Sequence, residues 1–171
     1  MRRSAPGSVA PEHATDLDAA REAALRLLER SRRTRADLSR RLREKGYAAA
    51  VVDEVLDRLA GVGLVDDAEY ARAFLASRWG RRTAGWRRLE QELRRRGVAA
   101  EDIAAARQRL EEETGGADEV AAARRVLEQV GRRYDRLDPR IRRRRLYALL
   151  ARRGFDGDTI EQALRAGTSP D

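Results

Sequence analysis

The 171-residue chain has no cysteine, one histidine, one methionine, four prolines and few aromatics. Without cysteine there is no disulfide framework, thiolate nucleophile, iron–sulfur cluster or Cys-ligated zinc, and the chain suits a reducing compartment. The one histidine, His13, lies in a leading segment with Pro6, Gly7 and Pro11 and no helical apolar period. It reads as a solvated tail residue and leaves no imidazole for acid–base or metal chemistry. No apolar run approaches the roughly 20 residues of a membrane span, and no apolar stretch follows Arg2 and Arg3 as a signal peptide requires. A soluble, cytoplasmic protein without membrane contact is expected. A phosphate-cradling glycine-rich loop is missing too, as is a nucleophile with a partnered base. No enzymatic activity, metal or cofactor is therefore expected.

What is present is arginine, alanine and leucine. Lys45 is the single lysine, so 36 of the 37 cations are Arg, set against 29 acids for a net charge of +8. Thirty residues are Ala, which leaves 41 large apolar side chains, enough for modest cores. Ala, Arg, Glu and Leu favour helices, whereas β-branched and aromatic residues are scarce. The fold class expected is all-α.

Three stretches align on a glycine: LSRRLREKGYAAAVVDEVLDRL from Leu38, LEQELRRRGVAAEDIAAARQRL from Leu89 and LYALLARRGFDGDTIEQALRAG from Leu146. Leu stands eight and four residues before Gly46, Gly97 and Gly154; Tyr47, Val98 and Phe155 follow them; Val52, Ile103 and Ile160 stand six residues after. Leu at i and i+4 builds an apolar stripe on a helix, and a glycine just past the last turn closes it in the left-handed conformation. The apolar residue after the glycine folds back on the stripe. A second helix follows each glycine, and a further helix precedes each unit.

Nine helices in three units of three result. Asp118 opens the third leading helix, which carries Ala123, Leu127, Val130 and Tyr134, and Asp66 or Asp67 opens the second; Thr34 caps the helix after the first, with Asp37 in the capping-box position. The expected organisation is a disordered tail over 1–18, repeats over 19–65, 66–114 and 115–167, and a C-terminal tail over 168–171. Each unit is small for an independent core, so stability is shared between neighbours in a tandem array, elongated and curved, right- or left-handed. A monomer is expected.

Charge is unevenly placed. Residues 78–96 carry eight Arg and two Glu, and 132–153 carry ten Arg and two Asp; 49–69 and 101–128 are net acidic. In the helix beginning near Trp86, a 100° step sets Arg87, Arg88, Arg94 and Arg95 opposite the Leu89–Leu93 stripe. After Pro139, Arg144 points away from Leu146 and Leu150, with Arg140, Arg145 and Arg152 on the flanks. These faces, with Arg81 and Arg82 in the preceding loop, suit a polyanion, because clustered Arg pairs phosphates bidentately and releases counterions. An acidic protein partner satisfies the same charges. A solvated face paired to Glu four residues away is the plainer alternative.

Phe74, Tyr47 and Phe155 fit core positions, as does Trp86 at the head of its stripe. Trp79 beside the Arg81–Arg82 loop is a possible stacking residue for a base or an arginine. Asp66 and Asp67 read as capping residues and not as metal ligands.

The strings GLVDDAEYARAFLASR, RRLEQELRRRGV and LLARRGFDGDTIEQAL, with RRTRADLSRRLREKGY near the start, resemble the bacterial RecX family of regulatory proteins. The likeness runs over about residues 20–166. It implies three tandem three-helix modules and a non-enzymatic role in DNA repair, homologous recombination and SOS control. By the same resemblance, the partner is the RecA recombinase filament, with binding in its groove restraining ATP hydrolysis, strand exchange and co-protease activity. The family's central motif falls on Asp66, Asp67, Tyr70, Ala71 and Phe74, which read as architectural. Single- or double-stranded DNA is expected as a weak, nonspecific partner, through basic faces that contact RecA, the DNA it coats, or both. The density of Arg142 to Arg145 exceeds the family pattern and favours DNA contact. The competing reading is a stand-alone, nonspecific nucleic-acid-binding module, which the lack of Asn and Gln on the arginine faces keeps from being sequence-specific.

Overall fold

The structure is a computed structural model that describes residues 14–78, 84–115 and 118–166. Among these residues there are nine α-helices, one 3-10 turn and no strand. Helices α1 (Leu17–Arg30), α2 (Arg35–Glu44) and α3 (Ala49–Gly61) enclose a core of Ala20, Ala24, Leu38, Leu42, Val52 and Leu56. Asp16 caps α1 by accepting from the Ala19 amide at 2.9 Å, so the helix starts inside the segment read as tail. The face α1 buries is Ala20, Ala23 and Ala24, with Leu27 and Leu28 only half-covered. Alanines there let the helix axes approach closely.

Helices α4 (Asp67–Arg78), α5 (Trp86–Arg95) and α6 (Ala100–Thr114) form the second triplet. The residues buried on them are Ala71, Phe74 and Leu75, then Leu89 and Leu93, then Ile103, Ala106 and Leu110; Trp86, expected in the core, is only half-buried. The third triplet comprises α7 (Glu119–Val130), α8 (Pro139–Arg152) and α9 (Gly157–Ala166) around Ala123, Val126, Leu150, Phe155 and Ile160. Asp118 caps α7 through the Ala121 amide at 2.8 Å, and Asp138 caps α8 with Pro139 in its first turn. Tyr134 departs from expectation: α7 ends at Val130 and Tyr134 belongs to the 3-10 turn Gly131–Tyr134.

The glycine column behaves alike in all three triplets. Gly46, Gly97 and Gly154 have φ of 104°, 80° and 88°, the left-handed region where a side chain is strained. At the first and third, the next residue's amide donates back to the leucine four residues before the glycine, Tyr47 to Leu42 and Phe155 to Leu150. Tyr47, Val98 and Phe155 are all buried, as are Val52, Ile103 and Ile160.

The described residues divide into two compact units. One comprises residues up to Ala71 together with Arg94–Ile103; the other comprises Arg72–Leu93 and residues from Ala104 onward. The boundary therefore crosses α4, α5 and α6 and does not follow the three repeats.

Phe74 is 5% exposed, with the Arg78 guanidinium 4.0 Å from its ring centroid. Phe74→Ala is expected to lower unfolding stability in urea by about 3–5 kcal/mol, and an unchanged midpoint would remove Phe74 from the core.

Candidate anion-binding surfaces

The arginines are placed by a joint that occurs once in each unit. In the first unit, the Thr34 hydroxyl donates to the Arg96 carbonyl at 2.7 Å, and a Cβ on Gly97 would lie 2.3 Å from the Ala36 Cβ. In the second, the Gly85 amide donates to the Arg153 carbonyl at 2.9 Å, and a Cβ on Gly154 would lie 2.5 Å from the Arg88 nitrogen. In both joints, the first turn of one middle helix rests on the glycine that closes the next middle helix. Real side chains do not tolerate such contacts, so these two positions need glycine for space as well as for φ.

A carboxylate completes each joint. Asp67 accepts from the Arg35 amide at 2.8 Å, and Glu119 accepts from the Trp86 amide at 2.7 Å. Asp67 and Glu119 are the first residues of α4 and α7, while Arg35 and Trp86 are the first residues of α2 and α5. Each acid thus satisfies an amide that helix geometry leaves without an intrahelical partner. Asp66 caps α4 itself through the Glu69 amide at 2.8 Å, so the two aspartates have different roles. Burial pushes both joint carboxylates above their ordinary pKa, with the bonded amide partly opposing the shift.

These joints split the arginines of α5. Arg87 and Arg88 stand at the second unit's joint, beside the end of α8 where Arg152 lies, whereas Arg94 and Arg95 stand at the first unit's joint. All four are exposed, as are Arg140, Arg144, Arg145 and Arg152 on α8. Among the described residues, the side chains of Arg87, Arg88, Arg95, Arg140, Arg144, Arg145 and Arg152 have no ion-pair partner. The Arg142–Arg145 run is not uniform: Arg142 pairs with Asp135 at 2.9 Å and Arg143 with Glu161, leaving Arg144 and Arg145 outward. Two apolar side chains share this surface, Ile141 at 44% exposure and Tyr147 at 37%. Tyr147 was legible only by its place one residue off the Leu146–Leu150 stripe.

The aromatics divide further. Trp86 is half-buried and stacks beneath Arg107, whose guanidinium carbon is 4.4 Å from the ring centroid. Tyr70 is half-buried, and its hydroxyl accepts from Arg96 at 2.7 Å. Tyr47 donates its hydroxyl to the Ala19 carbonyl at 3.0 Å. Trp79, Arg81 and Arg82 lie outside the described residues.

Asp37 is the other electrostatic centre. Its carboxylate does not reach back to close a capping box; Thr34 accepts from the Asp37 amide, and the carboxylate takes hydrogen bonds from Arg33, Arg41 and Arg40. Burial alone raises its pKa, but these three guanidiniums outweigh that and hold it below the ordinary value.

Tandem three-helix modules, with arginines free of ion pairs on α5 and α8, define an all-α helical-repeat protein. Family models described as the first, second and third three-helix domains of RecX match residues 20–59, 66–106 and 117–164. The chain is 40% identical over 163 residues to the regulatory protein RecX of Thermobifida fusca, covering 93% of this chain and 83% of that one. It is 43% identical over 146 residues to the regulatory protein RecX of Mycobacteroides abscessus, covering 82% and 69%. The crystal structure of RecX from Lactobacillus salivarius superposes with a TM-score of 0.78 at 21% identity, covering 88% of this chain and 96% of that one. The chain belongs to the RecX family, and its role is regulatory. Among the described residues, no helix is long and apolar enough to cross a membrane.

Because the folded pKa of Glu119 lies above its ordinary 4.5, its stabilising contribution is complete below 4.5 and is lost as pH rises through the folded value. Glu119→Gln keeps an acceptor for Trp86 and removes this titration. Urea melts are expected to show the variant gaining on the wild type as pH rises from 4.5 toward neutrality. A pH-independent difference would contradict the joint.

Proposed function

We propose that this protein binds the RecA filament on DNA and restrains its ATP hydrolysis, strand exchange and co-protease activity, without chemistry of its own. The observation behind this reading is the family membership over nearly the whole chain, with relatives named as regulatory proteins. The exposed arginines of α5 and α8 supply a physical means. Guanidinium forks pair with phosphates or carboxylates bidentately, and both are available on a protein-coated nucleic acid. Arg-bearing surfaces in both units give one chain several weak contacts, which gain avidity through effective concentration once the first is made. Bridging neighbouring filament protomers then opposes the rearrangements that turnover needs. The protein acts in this scheme as a monomer in the cytoplasm.

Purified protein, added stoichiometrically, is expected to slow RecA's DNA-dependent ATP hydrolysis and strand exchange. Arg144→Glu with Arg145→Glu is expected to weaken that effect, with the gap from the wild type narrowing as salt rises, while far-UV circular dichroism stays unchanged. Unaltered RecA activities in the presence of the wild type would overturn the proposal. If DNA then bound tightly without RecA, the protein would be a stand-alone nucleic-acid-binding module, a reading that the Tyr147 ring among the α8 arginines favours.

A further inference from the structure

A cleft of about 660 Å³ lies wholly within the first unit, between the start of α2 and the end of α5. Seven arginines and a single carboxylate, Asp37, line it. Arg32, Arg33, Arg40 and Arg41 come from the α2 side. Opposite them stand the consecutive Arg94, Arg95 and Arg96, held by the Thr34–Arg96 bond and the Gly97–Ala36 contact.

The guanidiniums are already arranged around an anion. Arg33 and Arg41 each donate to one Asp37 oxygen at 2.8 Å, and Arg40 donates to the other at 2.5 Å. One planar, two-oxygen anion therefore takes three arginines from a single side of the cleft. Arg33 is also fixed through its Nε, which donates to the Leu27 carbonyl at 3.1 Å. Asp37 is the single acid lining the cleft, while from outside the lining Glu69 pairs with Arg32 at 2.9 Å and Glu44 with Arg40 at 2.8 Å. Arg95, exposed and without an ion-pair partner, faces no internal competitor.

We propose that this cleft binds the phosphodiester backbone of a single-stranded nucleic acid, with Asp37 as an internal counterion that the incoming phosphate displaces. The cleft's volume lies within the range of ligand sites and admits one strand, whereas a duplex is much wider. A strand carries a charge at every nucleotide, matching a site with arginines on two opposing walls, and phosphate oxygens accept the guanidinium hydrogen bonds that Asp37 now takes, one from each of Arg33, Arg40 and Arg41. The proposal extends the nucleic-acid part of the filament reading but does not depend on RecA, because it predicts binding by the protein alone.

The test is fluorescence anisotropy of a labelled oligothymidylate with the full chain, titrated at several salt concentrations. Arg40→Gln with Arg41→Gln is expected to weaken binding and to flatten the log–log salt dependence by about 1.4, at about 0.7 per lost single-strand contact. Asp37→Asn is expected to change binding in the opposite direction, tightening it, because the competitor loses its charge. The opposed signs separate a binding site from a folding defect, and the Asp37→Asn arm decides the matter if the double variant unfolds. Unchanged affinity and slope in the arginine variant, or weaker binding in Asp37→Asn, overturns the assignment. Polyglutamate that displaces the oligonucleotide equally well at matched charge overturns it in favour of an acidic protein segment. Binding lost in Arg144→Glu with Arg145→Glu but untouched by the cleft variants also overturns it, and leaves the filament reading standing. A wild type that shows the cleft signature yet leaves RecA turnover unchanged supports the cleft and removes the filament reading.

Discussion

The arrangement depends on two close backbone approaches, Gly97 against Ala36 and Gly154 against Arg88. At each, the glycine that terminates one middle helix also leaves room for the first turn of another. Helix closure and module docking are thereby the same event: the left-handed φ exposes the helix-end carbonyls of Arg96 and Arg153, and Thr34 and Gly85 donate to them. The joint carboxylates Asp67 and Glu119 then satisfy the amides of Arg35 and Trp86. A buried polar group left unpaired costs more than a hydrogen bond returns, so each joint favours one register over its neighbours.

Electrostatics follows from this geometry. The joints bring arginines from distant parts of the chain together, Arg94 to Arg96 beside the start of α2, and Arg87 and Arg88 beside the end of α8. Nearly all the cations are Arg, which binds planar anions by shape as well as by charge and gives up its hydration more readily than Lys. Some of this charge is consumed internally, as in the Arg142–Asp135 and Arg143–Glu161 pairs. What remains outward is a smaller set than the composition suggests, and it is the set available to a partner.

Much of this is legible in the amino-acid sequence. The leucine, glycine and following apolar columns identify the middle helices and their ends because i to i+4 stripes and left-handed caps are local. The joints are not local. Nothing about Gly154 alone says that Arg88 will lie against it, although Asp66-Asp67 and Asp118-Glu119 do stand as acid pairs at equivalent helix starts. The division between paired and unpaired arginines was hidden for the same reason, since Glu161 lies 18 residues from Arg143. Residues 32–45 hold seven cations and two acids, but Asp37 reads there as a capping-box residue, and only the arrival of 94–96 forms the opposing wall. Tyr134 missed its helix because α7 tightens into a 3-10 turn at Gly131.

Regulation by contact, with no chemistry in the protein itself, is tested most directly by electron cryo-microscopy of the protein on a RecA–DNA filament. The expected image has the protein bound along the filament, with α5 and α8 turned toward it and Arg87, Arg88, Arg144 and Arg145 at the interface. A bare filament at stoichiometric protein, or attachment through the acidic α3 and α6 with those arginines facing solvent, would contradict it.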